Sequence, residues 1–248
     1  MRLAGKQAIV TGASRGLGRA IALAFAREGA DVLVNYATRE AQAQEVASAI
    51  RGMGRNAIVC QADVSEAAQI RRMVEAATAG LGQVDILVNN AGITLPKGPL
   101  ETTEEEWEKV LRTNLTGVFL CSQAVIPGMI AQGGGRIINI SSTAAKSGTL
   151  SGPAYCAAKA GVIGLTKCLA NAFARHNILV NAIAPALIDT EILYWRTPEQ
   201  WKETLESIPL KRLGVPDDLA EAAVFLASHG GSFMTGATLD INGGLHMD

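Results

Sequence analysis

The sequence predicts an α/β fold: a single doubly wound domain on a seven-stranded parallel sheet, with helices on both faces. Three observations predict it. Short apolar runs alternate with helix-period segments along the whole chain, the pattern of a parallel sheet covered on both sides. The first run ends in a glycine-rich turn that passes at once into a helix, Thr11-Gly12-Ala13-Ser14-Arg15-Gly16-Leu17-Gly18. The composition is 48% hydrophobic but only 4% aromatic, with 26 glycines. That suits alanine-rich helices packed closely on a sheet, whereas a β-sandwich would want more aromatic and β-branched residues.

The strands are expected over 8–11, 32–35, 57–61, 86–89, 136–141, 179–183 and 238–241. Helices are expected over 16–28, 40–51, 67–79, 104–130, 154–175 and 216–228, with a further helical piece around 198–207. The fourth helix has a marked start: Thr103 at the cap and Glu106 three residues on form a capping box, and the acidic run 104–106 complements the helix dipole rather than forming a site. No linker, repeat or low-complexity segment interrupts the pattern. Residues 1–248, about the upper limit of one compact core, therefore read as one domain.

The net charge of −1 leaves no basic excess to attract nucleic acid or an anionic membrane. Cys60, Cys121, Cys156 and Cys168 have neither the CxxC spacing nor the density of a disulfide framework and read as reduced thiols; no metal site is predicted. The uncharged run 113–135 is long enough for a membrane span. It contains Asn114, Gln123, Pro127, Gln132 and three consecutive glycines, which points instead to a buried or interface helix. The first strand follows the N-terminus too closely for a signal peptide, so the expectation is a soluble, cytoplasmic protein.

Ligands of a doubly wound sheet sit beyond the carboxyl ends of its strands. At the first of these ends the glycine spacing is GxxxGxG rather than GxGxxG. Such a turn brings backbone amides and a helix N-terminus up to a pyrophosphate, which makes it a dinucleotide-binding candidate. An acid at the end of the second strand would accept hydrogen bonds from the ribose of NAD. Asp31 lies at the wrong edge, and the true end, Val34-Asn35-Tyr36-Ala37-Thr38-Arg39, has no acid. Arg15 and Arg39 are placed to neutralise a 2′-phosphate, which favours NADP(H) over NAD(H).

Tyr155-Cys156-Ala157-Ala158-Lys159 sets a phenol and an ammonium one turn apart on one helix face. A tyrosine that exchanges a proton near neutrality needs a nearby positive charge to stabilise its phenolate, and Lys159 could supply it. The blander reading makes Tyr155 the edge of a core and Lys159 a solvated helix lysine.

Taken in order, these motifs, with Asp63-Val64, Asn89-Asn90-Ala91-Gly92, Asn114, Ser142 and Asn242-Gly243-Gly244, resemble the short-chain dehydrogenase/reductase family over essentially the whole chain. The pattern is nearest to the 3-oxoacyl-acyl-carrier-protein reductases of fatty acid biosynthesis. The resemblance implies a Rossmann-type catalytic domain and a proton relay of Asn114, Ser142, Tyr155 and Lys159. Tyr155 would be the acid, Ser142 a hydrogen-bond donor to the carbonyl oxygen, Lys159 the cation beside the phenol, and Asn114 the holder of a relay water. Ser141 also ends the fifth strand, but alternation turns it away, and the family's spacing to the tyrosine selects Ser142.

The cofactor set it implies is Gly12, Ser14, Arg15, Gly16, Leu17, Gly18, Thr38, Arg39, Asp63, Val64, Asn90, Ala91, Gly92, Tyr155, Lys159, Pro185, Ile188 and Thr190. Asp63 by itself would more often cap the following helix, and Asn89 reads as structural. A substrate lid is expected over about 189–210, with bulky Tyr194 and Trp195 either facing substrate or packing on the lid itself. Ala186 replaces the glycine usual after the sixth strand, a costly change if φ is positive there. A basic patch for an acyl carrier protein is thin, offering Arg136, Arg175 and His176.

The expected activity is NADPH-dependent reduction of a ketone to a secondary alcohol, foremost a 3-oxoacyl thioester, by a homotetramer. An alcohol or sugar dehydrogenase of the same family and a non-catalytic NADP-sensing scaffold are the alternatives.

Overall fold

The computed structural model describes residues 1–148, 151–189 and 204–247. Its first half runs β1 (Gln7–Val10), α1 (Gly16–Arg27), β2 (Asp31–Tyr36), α2 (Glu40–Gly52), β3 (Ala57–Gln61), α3 (Ala67–Leu81) and β4 (Ile86–Asn89). There follow α4 (Glu104–Leu111), α5 (Gly117–Ala131), β5 (Gly135–Ile140), α6 (Ala144–Ser147), α7 (Pro153–Phe173), β6 (Ile178–Pro185), α8 (Pro216–Ala227) and β7 (Thr238–Ile241).

Alternation in the strands creates two cores. Ala8 and Val10 of β1 enter one hydrophobic layer and Ile9 between them enters the other; Val32, Val34 and Leu33 of β2 divide in the same way. A strand apolar on both faces must be covered twice. Helices α1, α2 and α8 cover the first face, and α3, α5 and α7 the second. Each fully buried aliphatic or aromatic side chain, such as Phe25, Ile21 or Met73, is worth roughly 1.5–3 kcal/mol. The two layers, rather than surface ion pairs such as Arg2 with Glu28, therefore carry the stability.

All seven strands are parallel, in the order β3-β2-β1-β4-β5-β6-β7. The order reverses between β1 and β4, which opens a crevice beyond their carboxyl ends. The expected strands are all present, most with boundaries shifted by one or two residues, and no disulfide joins the four cysteines. The capping box at α4 is present: Glu106 N donates to Thr103 Oγ1 at 3.2 Å, and Thr103 N to Glu106 Oε2 at 3.1 Å.

Two features depart from expectation. The helix expected over 104–130 is interrupted by a π turn, Arg112–Thr116, where Gly117 N–H reaches back five residues to Arg112 O. A one-residue widening of this kind barely disturbs an apolar pattern, so periodicity does not reveal it. Secondly, α6 is an extra turn directly after Ser142. Glu104–Ala131 taken together is long and apolar enough to cross a membrane by length and composition. Its π turn buries Asn114, however, and Cys121, Val125 and Met129 of α5 belong to the second core layer.

Of the expected lid and helical piece, residues 204–207 are helical, while Thr190, Tyr194 and Trp195 lie outside the described residues. The two ends of the lid stretch are joined by a bridge, Ile188 to Gly214, with Asp189 N donating to Gly214 O at 2.8 Å.

Candidate active site

One half of the crevice is made of backbone. Gly12 and Gly16 take left-handed conformations, φ 62° and 54°, that turn the chain from β1 into α1. A Cβ on Gly18 would stand 2.4 Å from Gly12 O and 2.5 Å from Asn90 Nδ2, so only glycine lets the turn close. Thr11 Oγ1 accepts from Asn90 N at 2.9 Å and from Ala91 N at 3.0 Å, and Asn90 Nδ2 donates back to Thr11 O at 2.9 Å. Asn35 Oδ1 accepts from Gly12 N at 3.1 Å. The turn is thus clamped between the ends of β2 and β4. Arg15 precedes α1 in an extended conformation without a side-chain cap, which leaves the first helical N–H groups to an anion.

The end of β2 continues into Ala37, Thr38 and Arg39 along the cleft edge, and Arg39 is exposed there, donating to Gln42 Oε1 at 3.3 Å. Among the described residues the cleft is bordered by one acid, Asp63, whose Oδ1 accepts from Ser65 N at 2.8 Å ahead of α3. Asp63 thus closes the turn before α3 without capping it: the cap position is Glu66, which has no side-chain cap. Asp31 opens β2 at the opposite edge, holding Arg55 Nε at 3.0 Å and Asn56 N at 2.8 Å. Asn89 bonds across strands to Asn139 Oδ1 at 2.9 Å, the structural part expected of it.

The other half is made of side chains. Ser141 Oγ is committed to Lys159 O at 2.9 Å, whereas the hydroxyl of Ser142, fixed by Ala144 N at 3.1 Å, borders the cleft opposite Tyr155. Lys159 is not a solvated helix lysine: it is 4% exposed, its Nζ donates to Ile140 O at 2.7 Å and lies 5.6 Å from the Tyr155 ring centre. Burial lowers the Lys159 ammonium from its ordinary value to about 8.

The spacing predicts a depressed Tyr155 phenol, and here the packing overrules it. Burial pushes the phenol above its ordinary value, a hydrogen bond from Ser142 opposes the rise, and neighbouring Cys156 adds to it.

Glycine turn, β2 end, Asp63-Val64, Asn90–Gly92, Ser142, Tyr155, Lys159, Pro185 and Ile188 all border one cleft of about 670 Å³. Gly18 and Asn114 stand behind its wall. Asn114 is fully buried in the π turn, with Ile93 N donating to its Oδ1 at 2.8 Å and its Nδ2 donating to Ile93 O at 2.7 Å. A Cβ on Gly92 would lie 3.1 Å from Asn114 Oδ1 and 3.7 Å from Lys159 Nζ, so a side chain there would crowd both the amide and the ammonium.

Sequence reasoning missed Thr94, Lys109, Ser151 and Leu245 on the lining. Leu245 had a signal in Gly243-Gly244, both at positive φ, which turn the tail back; Asn242 Nδ2 holds His246 O at 2.7 Å. Ala186 borders the cleft without a positive φ, so the loop accommodates it without that strain. Arg136, Arg175 and His176 gather at the start of β5 and the end of α7, the opposite end of the sheet from the cleft.

A backbone cradle at a strand-to-helix turn facing a serine, a tyrosine and a buried lysine defines an oxidoreductase built on a dinucleotide-binding sheet. The chain belongs to the short-chain dehydrogenase/reductase family: residues 12–246 match a family model described as enoyl-(acyl carrier protein) reductase. It is 43% identical to the 3-oxoacyl-[acyl-carrier-protein] reductase FabG of Staphylococcus epidermidis over 242 residues, 98% of this chain and 99% of that one. It is 42% identical to the FabG of Vibrio cholerae over the whole of both chains. Among solved structures, a 7α-hydroxysteroid dehydrogenase complexed with NADH and 7-oxo glycochenodeoxycholic acid superimposes with a TM-score of 0.94 at 38% identity, covering 98% of this chain and 95% of that one. A putative short-chain alcohol dehydrogenase from Sinorhizobium meliloti 1021 matches with the same score and identity, over 98% and 97% of the two chains.

Proposed function

We propose that the protein uses NADPH to reduce a ketone to a secondary alcohol, and that the ketone is a 3-oxoacyl thioester. The observation that carries this reading is the meeting of Ser142, Tyr155 and buried Lys159 on one wall of a cleft whose other wall is the glycine turn. When bound, the nicotinamide supplies a hydride to the carbonyl carbon. Tyr155 gives its proton to the carbonyl oxygen. The phenol carries its proton at neutral pH, as proton donation to a ketone oxygen requires. Ser142 donates a hydrogen bond to the same oxygen and stabilises its developing charge. Lys159 faces the resulting phenolate, and Asn114 holds a water that returns protons to Lys159.

Gly12, Ser14, Gly16, Leu17 and Gly18 would hold the pyrophosphate, Asp63, Val64 and Asn90–Gly92 the adenosine, and Pro185 and Ile188 the nicotinamide; Thr190, expected in the same set, lies outside the described residues. Thr38, Arg39 and Arg15 take the 2′-phosphate; the absence of an acid at the end of β2 supports NADP over NAD. The thioester substrate is supported by the FabG relatives. An acyl carrier protein is the partner this implies, although the basic residues stand away from the cleft. We assign the protein to the cytoplasm as a homotetramer packed through α5 and α7. In support, α5 is apolar all round, and its Phe119 is 41% exposed and Ile130 38%.

The dehydrogenase neighbours favour a second reading, oxidation of an alcohol. Initial rates with NADPH and with NADH against acetoacetyl thioesters, and in reverse against a panel of secondary alcohols, separate the two. Thioester reduction with NADPH preferred is the expected result; no turnover of any 3-oxoacyl thioester overturns the substrate assignment.

A further inference from the structure

Helix α6 is four residues long, and a single turn has no stability of its own. Yet it sets the Ser142 hydroxyl: Ala144 N donates to Ser142 Oγ at 3.1 Å and Ala145 N to Ser142 O at 3.0 Å. What anchors α6 therefore aims Ser142. One anchor is backbone, Thr143 N to Pro185 O at 2.9 Å. Another is an ion pair, Lys146 Nζ to Asp240 Oδ2 at 2.6 Å, with the two side chains only 16% and 25% exposed. Asp240 sits on β7 opposite Ala184 of β6, one residue before Pro185 and the loop that lines the cleft. The pair thus ties the turn carrying Ser142 to the strand pair carrying the facing wall.

Its surroundings are poor for stability. Asp240 Oδ1 is buried without a hydrogen-bond partner among the described residues, and so is Thr238 Oγ1, two residues along the same strand face. A part-buried carboxylate with one oxygen unsatisfied adds little to stability, and an apolar pair of similar volume often serves as well or better.

We propose that Lys146 and Asp240 are positioning residues whose ion pair holds α6, and through it the Ser142 hydroxyl, in register with Tyr155; this rests on the role assigned to Ser142 above. Neither residue lines the cleft. Loss of the pair lets the turn move, and a displacement near 1 Å at a reacting group can cost up to about 100-fold in rate.

The test is single-turnover reduction of an acetoacetyl thioester by NADPH, with NADPH affinity and thermal unfolding measured alongside. Lys146→Met/Asp240→Leu is expected to keep wild-type unfolding temperature and NADPH affinity while slowing reduction about tenfold or more. Lys146→Gln, which retains the fold by a smaller change, slows it likewise, and Lys146→Arg recovers most of the rate. In a Ser142→Ala background, Lys146→Gln has little further effect, because coupled residues are non-additive. Wild-type rates in both Lys146→Gln and the double variant overturn the proposal, as does an undiminished effect in the Ser142→Ala background. Wild-type turnover by Ser142→Ala alone overturns the role given to Ser142, and the proposal with it.

Discussion

The two halves of the cleft are built by different means. At the glycine turn the working groups are backbone amides, fixed by conformation and close approach, and its glycines fall within Gly12 to Gly18. At the facing wall they are side chains brought from the end of β5, from α7, from the loop after β6 and from the C-terminal tail. The glycine turn should therefore be the more sensitive to added volume, and the facing wall the more sensitive to side-chain chemistry.

The largest effect that would break or sharpen this contrast is expected at Tyr155. Tyr155→Phe keeps the ring and removes the proton, so kcat should fall by about 10²- to 10⁴-fold with NADPH affinity near wild type. Steady-state kinetics and a fluorescence titration read the two separately, and surviving activity would remove Tyr155 from the acid role. Gly18→Ala adds one methyl group within 2.5 Å of Gly12 O. It should weaken NADPH binding at least tenfold and destabilise the fold by about 1–3 kcal/mol, since the obstacle is backbone; unchanged binding would mean the turn is not a cradle.

Lys159 tests what burial does to chemistry in the second half. Its folded pKa of about 8 lies below its ordinary value of 10.5. Between those values the unfolded chain binds more protons than the folded one, so stability contributed at this site rises with pH across that window. Against Lys159→Met, in which other titrations cancel, the wild type should gain in urea midpoint from pH 7 to pH 10; a constant difference would contradict the depressed ammonium. The smallest effect is expected at exposed Arg39. Arg39→Ala should raise KM for NADPH about tenfold and leave KM for NADH unchanged, because only the 2′-phosphate is lost as a partner.

Legibility follows the same division. The glycine turn, the missing acid at the end of β2 and the capping box at α4 could be read from the chain because each is a local pattern with a local cause. Tyr155 and Lys159 were legible as a spacing, but the direction of the phenol shift was not, since it depends on how much protein surrounds the ring. The π turn at Asn114 escaped because a one-residue bulge leaves the apolar pattern intact. Lys146 and Asp240, on α6 and β7, have no signal in either segment alone.

By itself the sequence determined the α/β class, the strands and their order along the chain, and the residue types of the relay. Alternation, glycine placement and helical spacing are short-range properties that survive in one dimension. Only the tertiary structure decided that the Ser141 hydroxyl is tied to Lys159 O. It also decided that Lys159 is buried, that Asn114 stands behind Gly92, and that the tail returns Leu245 to the lining. Those outcomes depend on desolvation and on contacts between distant segments, which exist only once the sheet has brought its strand ends together.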